Sequence, residues 1–359
     1  MKWSWRIGKF LGIDVYMHVT FLLLIGWVVL SYYLQGSTLA ATIEGVLFIL
    51  ALFGCVVLHE YGHALTARRY GIKTRDITLL PIGGLARLEK MPDEPSQELR
   101  VALAGPAVNV VIAALLFVAL AITSSLVPVT SLSLGHGSFV EQLMVVNVFL
   151  VLFNMIPAFP MDGGRVVRAL LAMRMEYTRA TQTAASLGQT IAFIFGFVGL
   201  FTNPFLLFIA FFVWIGAHQE ASMTQMKTSL AGIPVSRAML TEFHSLTPET
   251  TLSQVIELVL SGSQQDFPVV SNGQVVGILT RGDLVKELHQ HGQGTLVSDV
   301  MHRDFEVIDS YEMLEVALPR LQKSHYQIVP VVRFGQLVGL LTAENVGEFL
   351  MIQAALRTA

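Results

Sequence analysis

No lysine or arginine occurs between Lys9 and Arg68, between Arg100 and Arg165, or between Arg179 and Lys227, and these three gaps hold long apolar runs. Water does not solvate such stretches and a bilayer does: crossing ~30 Å of hydrocarbon takes roughly 20 largely apolar residues in a helix. Six segments qualify: Tyr16 to Leu34, Ile43 to Leu65, Leu99 to Val127, Phe139 to Phe159, Ala184 to Phe201 and Phe205 to Ala221. The fifth is the weakest, because Ser186, Gln189 and Thr190 interrupt its first turns. Only 14% of the chain is charged, against about 25% in an average soluble domain.

Each gap contains two spans and the turn that joins them, near Gln35 to Ala40, Pro128 to Ser138 and Thr202 to Pro204. The basic groups Lys2/Arg6/Lys9, Arg68/Arg69/Lys73/Arg75, Arg87/Lys90, Arg165/Arg168/Arg174/Arg179 and Lys227 then all fall on the opposite side. The positive-inside rule makes that side cytoplasmic. The first span follows a basic start without a small-residue cleavage site, so it reads as an uncleaved span and not a signal peptide. Six spans return the chain to the side where it began. The expectation is a multi-pass protein of the cell membrane, with its N-terminus and its polar C-terminal half in the cytoplasm. A lone cysteine, Cys55, excludes an internal disulfide framework and suits a reducing compartment. A net charge of -3 offers no electrostatic case for nucleic acid.

The fold class expected is therefore a polytopic α-helical membrane domain of six transmembrane helices at 1–222. A linker at 223–232 leads to a cytoplasmic α/β module with repeats at 233–293 and 294–354.

The second span ends in His59-Glu60-Tyr61-Gly62-His63. Histidines at i and i+4 share one helix face and can bind one metal ion, while Glu60 projects at another angle, toward water beside that ion. Ionisable groups this deep cost several kcal/mol unless paired, bound or hydrated, so they read as functional. A hydrolytic zinc site takes three protein ligands and keeps one position open. The candidate third ligand is Asp162, in the stretch Asn154 to Arg165, the first carboxylate after Glu141. The fourth span runs inward, so its end reaches the same depth as His59 and His63. Pro157 and Pro160 bar a regular helix there, which is tolerable at membrane depth only beside a protein cavity or water. On residue chemistry alone, the competing and weaker reading is that Asp162 caps an ordinary membrane-exit turn.

The ordered trio of His59 to His63, Gly105-Pro106-Ala107-Val108-Asn109, and Asn154 through Pro157 to Asp162-Gly163-Gly164 resembles the site-2 protease family of intramembrane zinc metalloproteases. The resemblance covers the whole membrane half. It implies that His59, His63 and Asp162 bind one Zn²⁺, that Glu60 is the general base and acid, and that Asn154 stabilises the oxyanion. It also implies a regulatory protease that cuts a single-span or membrane-tethered protein, such as an anti-sigma or pro-sigma factor, within the lipid bilayer.

Between spans two and three, residues 75–90 alternate weakly around Pro81-Ile82-Gly83-Gly84, a pattern that fits a surface hairpin or a plain loop. A hairpin edge beside the site could pair with an extended substrate. Cys55 lies one turn before His59, but a closed four-ligand site could not hydrolyse, so it reads as a small core thiol. His18, His218, Asn109 and Glu141 read as packed or interfacial residues.

The polar half repeats. Val235 to Met239 matches Val297 to Met301, Pro268-Val269-Val270 matches Pro330-Val331-Val332, and Gly277 to Thr280 matches Gly339 to Thr342, at a constant offset. Each unit reads as strand, helix, strand, turn, strand, helix, and the pair resembles tandem cystathionine-β-synthase (CBS) domains. That resemblance implies clefts for ATP, ADP or AMP, with Thr280 and Asp283 at one ribose-and-phosphate position and Thr342 at the other, where Asn345 replaces the acid. The alternative is a purely structural module, or one that forms a homodimer through the pair, without a ligand. The alternatives to a protease are a transporter or channel gated by the repeats, and a binding relative without proteolysis. The full ligand-plus-base set separates them, since a conduction path needs no such set.

Overall fold

The computed structural model describes residues 3–81, 83–89, 91–92, 94–123 and 137–358. Lys2, Ile82, Lys90, the end of the third expected span from 124 and the loop through 136 lie outside the described residues. Two compact units result, Met1–Thr224 and Gln225–Ala359.

The first unit opens on a hairpin where the apolar pattern predicts the approach to a span. Strand β1 (Ser4–Phe10) pairs antiparallel with β2 (Ile13–His18). Ile13 and Val15 are buried with Tyr61, Ala64 and Ile77, and the residues between them are less so, which is strand periodicity. Helix α1 therefore starts late, at Val19, and runs to Leu34. His18 caps it, its Nδ1 accepting from the Thr20 backbone N–H at 3.3 Å. Helix α2 (Leu39–Arg69) follows, then β3 (Thr74–Leu80) and β4 (Gly83–Leu88). Of the two readings for residues 75–90, a hairpin or a plain loop, the hairpin forms, and it extends the first one. β3 lies parallel to β2 and antiparallel to β4, in the order β1-β2-β3-β4. A parallel pair needs a long crossover, and α1 and α2 supply it.

Helix α3 (Pro95–Ile122) starts on Pro95 and carries Pro106 inside. Helix α4 (Phe139–Asn154) starts on a capping box in which Ser138 and Glu141 satisfy each other's backbone N–H. It stops at Asn154, short of the expected Phe159, ahead of Pro157 and Pro160. The chain then turns into a short amphipathic helix that the apolar pattern does not announce, α5 (Asp162–Ala172). Helices α6 (Tyr177–Phe201) and α7 (Pro204–Leu230) complete the unit, both longer than the apolar windows within them.

Among the described residues, four helices, α2, α3, α6 and α7, are long and apolar enough to cross a membrane; α1 and α4 are apolar but shorter. Each of the latter has 16 residues, about 24 Å at a rise of ~1.5 Å per residue. Leu23, Trp27, Leu115, Phe193 and Phe208 are 65–70% exposed. Apolar surface on that scale is foreign to soluble monomers.

The second unit folds as two interlocked copies. In the first copy, α8 (Leu252–Ser261), β5 (Phe267–Ser271), β6 (Gln274–Leu279) and α9 (Arg281–His291) follow one another. The strand expected before α8 shrinks to a single bridge from Leu246 to Val269. In the second copy, α10 (Val297–Val300) precedes β7 (Ile308–Asp309), α11 (Leu314–Lys323), β8 (Ile328–Arg333), β9 (Gln336–Thr342) and α12 (Ala343–Thr358). Both hairpins bulge at the matching place and turn with two residues at positive φ, Asn272-Gly273 and Phe334-Gly335. The copies exchange segments: Leu240 bridges to Leu340, and His302 bridges to Ile278. Ile278, Ile328 and Leu340 form a shared core.

Candidate metal centre

His59 and His63 are 6% and 5% exposed, although they sit on a helix that leaves Leu39, Ile43, Leu47, Leu50 and Leu58 exposed. The i, i+4 spacing brings their Nε2 atoms to 3.1 Å of each other. Asp162, the first residue of α5, places Oδ2 at 3.2 Å from His59 Nε2 and 3.1 Å from His63 Nε2. Three buried donors thus meet at one point, the one such group among the described residues. A triangle with sides near 3.1 Å has its corners about 1.8 Å from its centre, so a Zn²⁺ ion with bonds of ~2.0–2.1 Å fits about 1 Å off that plane. One face remains for a fourth ligand. The residues fit the ion.

Glycine permits this approach. A Cβ on Gly105 of α3 would overlap His63 Nε2 and lie 2.6 Å from His59 Nε2. A Cβ on Gly62 would stand 2.6 Å from the Ala104 carbonyl oxygen. Helices α2 and α3 therefore meet backbone to backbone beside the donors.

The outer nitrogens of both imidazoles are also held. His63 Nδ1 lies 2.7 Å from the Val101 carbonyl oxygen, an acceptor, so it donates. His59 Nδ1 lies 2.5 Å from Asn109 Oδ1, and Asn109 Nδ2 donates to Asn147 Oδ1 at 2.9 Å. Asn109 and Asn147 are fully buried. Asn109 thus does more than pack helices, and Asn147 was not legible as a site residue at all. Cys55 receives Asn147 Nδ2 at 3.4 Å and stays out of the donor triangle.

Glu60 is half-buried, and its Oε2 accepts from the Ala86 backbone N–H of β4 at 2.9 Å. β4 is an edge strand. Asn154 ends α4, half-buried, and its side chain makes no hydrogen bond among the described residues. His218 is exposed.

Arg168 departs from the expectation that it belongs to a cytoplasmic surface cluster. It is 1% exposed. Its Nε and Nη2 donate to Glu98 Oε1 of α3 at 2.8 and 2.5 Å, and its Nη1 donates to Glu220 of α7. The guanidinium also lies 5.0 Å from the Phe159 ring centroid and 5.2 Å from that of Tyr177. This clamp fixes α5, and so Asp162, against two other helices. Its signal in the sequence was faint: Glu98 lies just before one apolar window and Glu220 at the end of another, with no visible reason to be buried.

In the second unit, Thr280 caps α9, accepting from the Asp283 N–H at 3.1 Å, and its hydroxyl donates to the Asp283 carboxylate. His302 Nε2 stands 2.9 Å from the same carboxylate. Thr342 repeats the cap, with the Asn345 N–H at 3.0 Å. A cleft of about 1030 Å³ opens on Thr342 and Asn345. Glu242, Asp266, Glu344 and Glu348 line it, with no lysine or arginine among the described lining residues.

Comparison with known proteins identifies the family. The profile of Peptidase family M50 matches residues 47–133 and 125–199, and that of the CBS domain matches 235–290 and 297–351. Zinc metalloprotease MJ0392 of Methanocaldococcus jannaschii is 34% identical over 348 residues, covering 96% of either chain. Stage IV sporulation protein FB of Bacillus subtilis is 26% identical over 157 residues, 44% of this chain and 51% of that one. The solved site-2 protease from Methanocaldococcus jannaschii aligns with 36% identity and a TM-score of 0.45, over 61% of this chain and 95% of that one. With apolar helices suited to a membrane, a buried His-His-Asp group and a relative matched almost end to end, the chain belongs to the site-2 protease family of zinc metalloproteases, peptidase family M50, and carries a CBS-domain pair.

Proposed function

We propose that this chain is an intramembrane zinc endopeptidase that hydrolyses a peptide bond in or near a transmembrane segment of a single-span or membrane-tethered protein. The convergence of His59, His63 and Asp162 on one point, with Glu60 beside them, carries the reading. Bound zinc would supply Lewis-acid polarisation of the scissile carbonyl and acidify an attacking water. Glu60 takes the proton of that water and passes it to the leaving nitrogen. Asn154 donates its amide N–H to the developing oxyanion, a role worth about 3–4 kcal/mol in other hydrolases. Substrate enters as an extended strand along the edge of β4, because unwound backbone needs main-chain partners, and this edge lies beside Glu60, to which the Ala86 N–H bonds. The same contact brings the scissile bond to the base.

In this reading α1 and α4 join the four longer helices to make six spans, with N-terminus and CBS pair in the cytoplasm. The pair adjusts activity by binding an adenine ligand or by dimerising. The cleft at Thr342 and Asn345, lined by four carboxylates, favours a neutral or cationic nucleoside over a polyphosphate. At Asp283 the carboxylate is already engaged by Thr280 and His302.

Co-expression of wild type and Glu60→Gln with single-span candidate substrates, an anti-sigma or pro-sigma factor first, tests the assignment. Cleavage by wild type and trapped full-length substrate with the variant is the expected result. Equal cleavage by both would refute it.

A further inference from the structure

The metal donors need lone pairs facing the ion, so each imidazole must keep its proton on Nδ1. His63 achieves this directly on a backbone carbonyl. His59 has only Asn109, whose amide could present either end, so something must choose.

The choice is made at Asn147. Its Nδ2 lies 2.8 Å from the Leu143 carbonyl oxygen, which only accepts, so the amide cannot be turned around. Asn147 Oδ1 must then face Asn109, at 2.9 Å, and obliges Asn109 to present Nδ2. Asn109 Oδ1 is left to face His59 Nδ1, at 2.5 Å, and can be served only by a protonated nitrogen. The chain of donors runs one way, from His59 through Asn109 and Asn147 to a helix carbonyl. No other polarity satisfies all three contacts, and burial denies water as a substitute.

We infer that Asn147, two side chains removed from the donors, is a positioning residue that sets the tautomer of His59 and thereby the strength of the metal site. Outer partners of metal-bound histidines typically change affinity by about 10- to 100-fold when lost. The inference rests on the proposed zinc centre and adds a residue to it.

The test measures zinc affinity of the full-length protein in detergent by chelator competition, and the absorption spectrum of the Co²⁺-substituted protein. Asn147→Leu leaves Asn109 free to turn, so zinc affinity falls about 10- to 100-fold and the Co²⁺ bands shift. Asn147→Asp, neutral when fully buried, donates its O–H to the Leu143 carbonyl and still accepts from Asn109, and so keeps affinity within a few-fold of wild type. Asn109→Leu weakens zinc similarly, and adding Asn147→Leu to it has no further effect, because Asn147 acts only through Asn109. Unchanged affinity in Asn147→Leu, or losses that simply add in the double variant, would overturn the inference. Should Asn147→Leu fail to fold, a loss in Asn147→Asp equal to that in Asn109→Leu would do the same. Wild-type protein that binds no zinc would instead defeat the metal reading itself.

Discussion

Replacing Gly105 by alanine adds one methyl group to α3 and tests the geometry of the donor triangle. The new Cβ would overlap His63 Nε2 and stand 2.6 Å from His59 Nε2. Carbon reaches favourable contact only near 3.5 Å, so His59 alone must yield by about 1 Å, and His63 by more. Metal bonds tolerate about 0.2 Å. At least one imidazole therefore leaves the site, or α3 withdraws and takes Asn109 and Val101 with it. The first course leaves two good donors out of three, and the second strips both imidazoles of their outer partners.

Loss of an outer partner alone weakens a zinc site by about 10- to 100-fold, so displacement of a ligand should weaken it by about 100-fold or more. Chelator competition on purified protein reads this directly, and unfolding in excess chelator separates it from misfolding. Gly54→Ala serves as the control. Gly54 lies on α2, and an added Cβ there meets nothing within 4 Å. That variant should bind zinc normally and gain about 0.5–1 kcal/mol in helix stability. Unchanged zinc affinity in Gly105→Ala would refute the reasoning.

Arg168→Met removes the partner of a fully buried Glu98 and should lower stability by about 3–5 kcal/mol. Zinc content should fall with it because α5 loosens, while the exposed Arg174→Met leaves both unchanged in the same thermal unfolding and metal assays. For Asp283, burial works to raise the carboxyl pKa, but the Thr280 hydroxyl and the His302 imidazole hold it below its ordinary value of 3.8. A depressed folded pKa contributes stability above the unfolded value and loses it as pH falls through the folded one. The unfolding midpoint of wild type should therefore exceed that of Asp283→Asn near pH 6 and converge with it below pH 3.8. A gap that persists or widens in acid would sink this.

The membrane half was legible where one element decides its own fate. Charge-free apolar runs announce helices, and i, i+4 histidines announce a shared face. Pro157 and Pro160 announce the end of α4 before Asp162. The paired repeats of the second unit were legible for the same reason, since each carries its own turn residues. What failed to show depends on partners distant in the chain. Residues 16–18 read as the start of a span because they adjoin the apolar run, and instead end strand β2, which pairs with β1 on one side and with the distant β3 on the other. Arg168 reads as a surface charge until Glu98 and Glu220 surround it. Asn109 reads as a helix-packing amide, and Asn147 draws no reading at all, until the direction of their hydrogen bonds is traced to Leu143.

These long-range contacts also decide how the protein should respond to losing its metal. Small zinc domains fold only when the ion arrives, because nothing else orders their ligands. Here each donor or its neighbour is already satisfied: His63 by Val101, His59 through two asparagines, Glu60 by Ala86, and α5 by the Arg168 clamp. Hydrocarbon enforces such internal pairing, since an orphaned polar group costs several kcal/mol there. Ordering of the site is therefore complete before the ion binds. Chelation should abolish proteolysis while leaving far-ultraviolet circular dichroism unchanged. The unfolding free energy should drop only by the amount that ligand linkage requires, about 4 kcal/mol for free zinc at a thousandfold excess over its dissociation constant. Readdition of zinc should restore activity within the mixing time, without a refolding phase. Loss of helicity on chelation would show that the metal, and not the packing of α2, α3 and α5, holds the three donors together.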